Sequence, residues 1–159
     1  MDTDMSVILP GSYDPVTVGH LDIIKRVAAT EDEVYVVIFV NENKKYTFSL
    51  EDRVNMLMLA TEELDNVLVS FSLGRVVDYM REHGITRIVK GYRNDADLEW
   101  ERVQAEYNLY HGNFETELIL CRDEYREISS TLVRERLKCG ESVKGLVPDP
   151  VLNYLNSIT

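Results

Sequence analysis

The stretch SVILPGSYDPVTVGHLDII, Ser6 to Ile24, sets the frame for the whole chain. A short apolar run stops at Pro10-Gly11, and an amphipathic pattern resumes only after Gly19-His20. Proline and glycine punctuate the change of period, so the stretch reads as strand, polar loop and helix. His20 falls in the first turn of that helix, where the positive end of the helix dipole disfavours a protonated imidazole. A histidine placed there gains little stability from its charge and suggests an anion beside it. The other reading is a core or capping histidine.

Outward from this unit, β-type runs alternate with helical patterns. The apolar runs are MSVIL (5–9), EVYVVIFV (33–40), NVLVSF (66–71), TRIVKG (86–91) and TELILC (116–121). Helical periodicity covers about 17–30, 49–64, 74–83, 95–111 and 129–139, with a last segment near 149–156. Ser49 with Asp52 reads as a capping box, and Gly84, Gly112 and Gly140 stand where left-handed C-terminal caps are expected. Strands that are apolar almost throughout, each followed by a helix, predict an α/β fold. The expectation is a single doubly wound domain over 1–159 with a five-stranded parallel sheet, and 45% hydrophobic content is enough for a real core.

Charge narrows the function. Lys and Arg number 17 against 28 Asp and Glu, a net charge of −11 that repels phosphate backbones and anionic lipids. Nucleic acid and membrane are therefore not expected partners. The longest apolar run, Val34 to Val40, falls far short of the roughly 20 residues of a membrane helix. The acidic start MDTDMS lacks the basic and apolar regions of a leader, and Cys121 and Cys139 form no close-spaced redox or metal motif. A cytoplasmic setting is expected.

In open α/β sheets ligands bind beyond the carboxyl ends of the strands, at the point where strand order reverses. The loops expected there are PGSYDPVTVGH, NENKKYTF, KGYRND and RDEYREISST. They carry Lys44, Lys45, Lys90 and Arg93, a concentration of cations that an acidic chain does not provide by chance. Two of the loops run into helix N-termini, at Gly19 and at Ser129-Ser130-Thr131, where free N–H groups and the dipole suit a phosphate. Thr17 and Ser129 also read as ordinary helix caps. No Gly-Lys-Ser/Thr follows the first glycine and G-x-G-x-x-G is absent, so neither common nucleotide loop is present. His83 and His111 precede glycines at helix C-termini, where the dipole alone accounts for them.

PGSYDPVTVGH with its T-x-G-H, the pair of lysines followed by FSLEDRV, KGYR, DLEWE and ISST occur in one order. In this the chain resembles the nucleotidyltransferase superfamily, and within it the bacterial phosphopantetheine adenylyltransferases. The resemblance implies a Rossmann-like nucleotidyltransferase fold and transfer of AMP from ATP to 4′-phosphopantetheine. Mg²⁺ would be carried by the ATP phosphates, with no separate metal site, and the chain would form a homo-oligomer, a hexamer.

Position by position, the resemblance implies that Ser12 and Tyr13 contact ATP, Ser12 also touching the acceptor, and that His20 binds the phosphate under attack. It gives Lys44 to the acceptor phosphate, Lys90 and Val76 to the acceptor, and Gly91, Tyr92, Arg93 and Glu101 to the nucleotide. Tyr125, Arg126, Glu127, Ile128, Ser129, Ser130 and Thr131 would wrap its phosphates and adenosine. His20, Lys44 and Arg93 are the expected catalytic set. Departures from the family pattern are Val18 for Asn, Lys90 for Arg, Tyr125 for Trp, Tyr46 for Pro and Arg75 for an apolar residue. A nicotinate- or glycerol-phosphate-directed nucleotidyltransferase, or a non-catalytic nucleotide-binding module, stands as an alternative at this point.

Overall fold

In a computed structural model, described here for residues 6–159, strands and helices alternate as the periodicity predicts. The elements are β1 (Ser6–Gly11), α1 (Val18–Ala28), β2 (Glu33–Phe39), α2 (Leu50–Ala60), β3 (Val67–Ser72) and α3 (Val76–His83). They continue as β4 (Arg87–Tyr92), α4 (Asp95–Gly112), β5 (Glu115–Leu120), a 3₁₀ turn (Asp123–Tyr125), α5 (Ser130–Lys138) and α6 (Asp149–Ile158). Met5, expected to open the first strand, lies outside the described residues.

The strands form one parallel five-stranded sheet in the order β3-β2-β1-β4-β5. The chain works outward from β1 to β3, then returns to the other side of β1 for β4. Strand order therefore reverses between β1 and β4. Here the ladder is short: β1 matches β2 over six residue pairs but matches β4 only at Val7–Arg87 and Ile8–Ile88. Pro10, which has no N–H for a ladder, stands past the last of these pairs. The two strands part at their carboxyl ends, and a crevice opens between them.

Alternate residues of β1 serve opposite faces of the sheet. Val7 and Leu9 join Val34, Val36 and Ile38 in a core roofed by Ile24 and Val27 of α1, Met56 and Leu57 of α2, Val133 of α5 and Leu155 of α6. Ile8 joins Val37 and Ile88 in a second core with Tyr79 and Met80 of α3. Each of these Ile and Leu side chains contributes about 1.5–3 kcal/mol by leaving water. Of the methionine–leucine run in α2, Met56 and Leu57 are core, whereas Met58 is exposed.

Three local expectations need correction. Ser49 does cap α2, its Oγ accepting from Asp52 N at 3.0 Å, but the box is not reciprocal because the Asp52 carboxylate accepts instead from the Tyr154 hydroxyl at 2.6 Å. Helix α2 ends at Ala60 and not near 64, since the Thr61 hydroxyl donates to Leu57 O at 2.8 Å and the chain turns. Gly84 and Gly140 have the positive φ expected of caps, at 68° and 73°, but at the end of α4 that conformation belongs to Asn113 at φ 58°. Gly112 is the last helical residue, and it is glycine for a packing reason: a Cβ there would lie 2.5 Å from the Phe114 ring and 2.8 Å from Val77 Cγ1.

This packing reverses the usual effect of glycine in a helix, where alanine is better by about 1 kcal/mol. Gly112→Ala should destabilise the fold by about 1–3 kcal/mol through overpacking. Urea denaturation measures it; a variant as stable as the parent or more stable would show that Phe114 and Val77 yield freely.

Candidate active site

The crevice between β1 and β4 holds a cavity of about 390 Å³. Its floor is the end of β1, Leu9 to Gly11, and the end of β4, Val89 to Tyr92. Loops close the sides. The buried Asp14 carboxylate accepts from Thr47 N at 2.8 Å and Phe48 N at 2.9 Å, pinning the lysine loop after β2 to the loop after β1. Buried Arg53 adds a second tie, donating to Phe48 O at 3.2 Å and Ser12 O at 3.1 Å, with Tyr46 stacked on its guanidinium at 4.0 Å. From the other side, the Ser130 hydroxyl donates to Pro15 O at 2.7 Å and Arg134 to Asp14 O at 2.8 Å, drawing the start of α5 against the first loop.

Lys44, Lys45, Lys90 and Arg93, expected to share one pocket, all line this cavity, and the N-terminal turns of α1 and α5 reach it through Gly19 and Ser129–Thr131. Lys44 Nζ is 3.5 Å from Ser12 Oγ. Lys90 pairs with Glu101 at 3.3 Å, and Arg93 with Asp97 at 3.2 Å. The Ser129 hydroxyl accepts from Leu132 N at 3.0 Å and that of Thr131 from Arg134 at 3.1 Å, so both keep an O–H to donate. A Cβ on Gly19 would meet Thr17 Oγ1 at 3.5 Å and Tyr125 Cβ at 3.7 Å, which is ordinary contact. No protein atom demands glycine there, and the close approach of a ligand remains its best explanation.

His20 completes the cap of α1 and also lines the cavity. Thr17 caps α1, its Oγ1 accepting from His20 N at 3.3 Å, while the Thr17 N–H donates back to His20 Nδ1 at 3.0 Å. Histidine thus takes the place of the usual Glu or Gln in a reciprocal capping box. An Nδ1 that accepts a backbone proton holds its lone pair, so the neutral ring carries its hydrogen on Nε2. Burial, reinforced by Lys90 and Arg93, pushes the His20 pKa down to about 4. At pH 7 the cavity wall therefore carries an uncharged N–H donor.

The remaining expected residues are distributed as follows. Ser12, Tyr13, Gly91, Tyr92, Glu101, Tyr125 and Ile128 line the same cavity. Arg126 and Glu127 do not: the Arg126 guanidinium pairs with Asp123 at 2.8 Å, and its carbonyl accepts from Arg93 at 3.4 Å. Val76 lines a neighbouring cavity of about 220 Å³ that shares Pro10, Gly11, Ser12, Lys90 and Glu101 with the first. Arg75 points away from both, bonded to Asp78 at 3.0 Å and to the Tyr107 hydroxyl at 3.3 Å. Tyr46, one of the departures, is used structurally, its hydroxyl accepting from Asn41 N at 2.9 Å. His83 stacks on Tyr79 at 3.9 Å and His111 packs beside Tyr107 at 4.1 Å, structural roles both.

Sequence reasoning missed Arg134 and Asp14. Arg134 lies three residues after Thr131, on the same face of α5, which is a usable signal. Asp14 has none, because the amides it holds are 33 and 34 residues away.

Two comparisons bear on this site. The cytidylyltransferase-like family model matches residues 8–136, which contain every residue described in the cavity wall. The chain is also 43% identical over 145 residues to the phosphopantetheine adenylyltransferase of Symbiobacterium thermophilum, covering 91% of this chain and 90% of that protein.

The state of His20 is open to direct measurement. Nitrogen NMR of the labelled protein should show the Nε2–H tautomer at neutral pH and a titration midpoint near 4. Because folding lowers this pKa, the unfolded chain takes up the proton first, so this contribution to stability is complete above about pH 6.5 and is lost as pH falls toward 4. A midpoint near 6.5 would contradict the burial and charge argument.

Proposed function

The chain belongs to the cytidylyltransferase-like family and, within it, to the phosphopantetheine adenylyltransferases, and we propose from this how its cavity works. The reaction moves AMP from ATP to the phosphate of 4′-phosphopantetheine, giving dephospho-coenzyme A and pyrophosphate. The observation that carries the reading is the convergence of Lys44, Lys45, Lys90, Arg93 and Arg134 with two helix N-termini on one cavity, in a chain of net charge −11.

Two polyanions must be brought together, and transfer at phosphorus needs positioning and charge neutralisation more than covalent chemistry. An oxygen of the acceptor phosphate, already ionised at pH 7, attacks the α-phosphorus in line. The new O–P bond forms as the bond to the bridging oxygen of pyrophosphate breaks, and that oxygen leaves with the electron pair. Lys44 holds the acceptor phosphate. His20 donates from Nε2 to a non-bridging α-phosphate oxygen as charge grows on it. The α5 turn, with Arg93 and Arg134 beside it, receives the leaving phosphates, while Tyr125 and Ile128 border the nucleoside.

The second cavity lies beside the first, beyond Ser12, Lys90 and Glu101, with Val76 in its wall, and suits the pantetheine arm. Arg75, bonded outward, keeps its own charge out of that cavity. Mg²⁺ would be carried in by the ATP phosphates. In the main cavity Asp14 is held by backbone amides, Asp97 by Arg93 and Glu101 by Lys90 through Oε2, while Glu101 Oε1 is buried without a hydrogen-bond partner. When bound, the ion adds charge neutralisation on the phosphates.

Self-association is supported by Trp100, Val103, Tyr107 and Tyr110, which project exposed from one face of α4 at helical spacing. The ATP requirement and the free thiols Cys121 and Cys139 suit the cytoplasm.

Pyrophosphate release with ATP and a panel of phosphorylated acceptors tests the reading, and 4′-phosphopantetheine should be the acceptor that supports turnover. In the same assay Lys44→Ala should lower kcat/KM for the acceptor more than tenfold, about 1.4 kcal/mol or more, while ATP binding by calorimetry changes little. If Lys45→Ala shows that loss and Lys44→Ala does not, the neighbouring lysine holds the acceptor.

A further inference from the structure

Resemblance to the family assigns Tyr13 to ATP, and in the structure its side chain also bears on His20. Its side chain is buried, and its hydroxyl donates to Leu9 O at 3.0 Å, back into the central strand. Its backbone has φ 46°, a left-handed conformation that is strained for a residue with a Cβ. The strained turn folds the side chain back under the loop that carries it. Gly11 makes room, since a Cβ there would sit 3.0 Å from the tyrosine ring. The ring then meets the imidazole of His20 edge-on, with centroids 5.1 Å apart and planes at 67°.

His20 is therefore gripped at two places: Nδ1 by the Thr17 N–H, and the ring by Tyr13. Contacts at Nδ1 alone, from the Thr17 N–H and from the Thr17 hydroxyl at 3.2 Å, leave an imidazole free to swing about that atom; a ring packed against it removes that freedom. We propose that Tyr13 is a positioning residue, strained into place and anchored to β1 through its hydroxyl, which holds His20 so that Nε2 meets the α-phosphate in the transition state. The aromatic ring also keeps water from the imidazole, in keeping with the depressed His20 pKa. The charged groups around the pair are Lys90 and Arg93, which act on His20, and Glu101, which acts on Tyr13. The phenol stays neutral throughout the working range, since burial raises its pKa well above the ordinary value.

The proposal rests on His20 being the donor, so Tyr13→Phe, Tyr13→Leu and His20→Ala are to be measured together for kcat, KM and thermal midpoint, with the His20 titration followed by NMR. Tyr13→Phe, which keeps the ring and loses only the anchor, should fold and lower kcat three- to tenfold with KM for ATP unchanged. Tyr13→Leu should lose kcat at least thirtyfold, and its His20 midpoint should rise toward 6.5 as water reaches the ring. Variants with lowered thermal midpoints but parental kcat and an unmoved His20 titration would overturn the proposal, leaving Tyr13 a purely structural residue. The unmoved pair in Tyr13→Phe alone would do so if the leucine variant does not fold. Parental turnover in His20→Ala would remove the donor reading and this proposal with it. Loss in His20→Ala beside parental kcat in both tyrosine variants would remove this proposal alone.

Discussion

β1 and β4 part company after Ile88 faces Ile8, and the site depends on that separation. Had the ladder run on as it does between β1 and β2, the sheet would fill the space the cavity occupies. The parting has identifiable causes. Strand order reverses at this point, so the loops leaving β1 and β4 head toward opposite faces, and Pro10 has no proton for continued pairing. Backbone between the two strands is thereby freed for a ligand. The price is a set of loops that must be held by something other than the sheet. Asp14, Arg53, Ser130 and Arg134 hold them, each bonding backbone atoms of a segment distant in sequence.

Once the loops are tied, their electrostatics follow. The chain as a whole is acidic, with carboxylates spread over its surface, while five cationic side chains line one crevice. Anionic substrates are repelled elsewhere and neutralised here. Burial, together with Lys90 and Arg93 among those cations, keeps His20 uncharged. A protonated imidazole would bind phosphate in the ground state and the transition state alike. A neutral N–H donor held in place, with its gain concentrated where charge develops, is the more effective arrangement for rate.

The fold was legible because its signals are local. Apolar periodicity and the length of each run placed the strands and helices, and the loops they bound contained the cations that meet in the cavity. What escaped depends on contacts between distant segments. The sequence does not show that Val77, far earlier in the chain, packs with Phe114 against the position a Cβ would take, so Gly112 reads as a cap. The positive φ of Tyr13 has no sequence signature there, so the edge-on packing of its ring against His20 was not legible. Arg75, which from sequence could point outward or mark a different acceptor, is drawn outward by Asp78 and Tyr107. His20 could be read as cap or as reactive group; the Thr17 bonds establish the cap, and its place in the cavity wall is what the second reading builds on.

The central claim is that a neutral His20, locked by its own helix cap, stabilises charge on the α-phosphate without bonding to it. The most direct test is single-turnover kinetics of His20→Ala beside the parent enzyme, with radiolabelled ATP in the presence and absence of acceptor. The account predicts that the variant folds, binds ATP within a few-fold of the parent and transfers AMP at least about a hundredfold more slowly, roughly 2.7 kcal/mol or more, the loss typical of removing one transition-state donor. Near-parental transfer by the variant, or a labelled AMP adduct on His20 of the parent without acceptor, would contradict it.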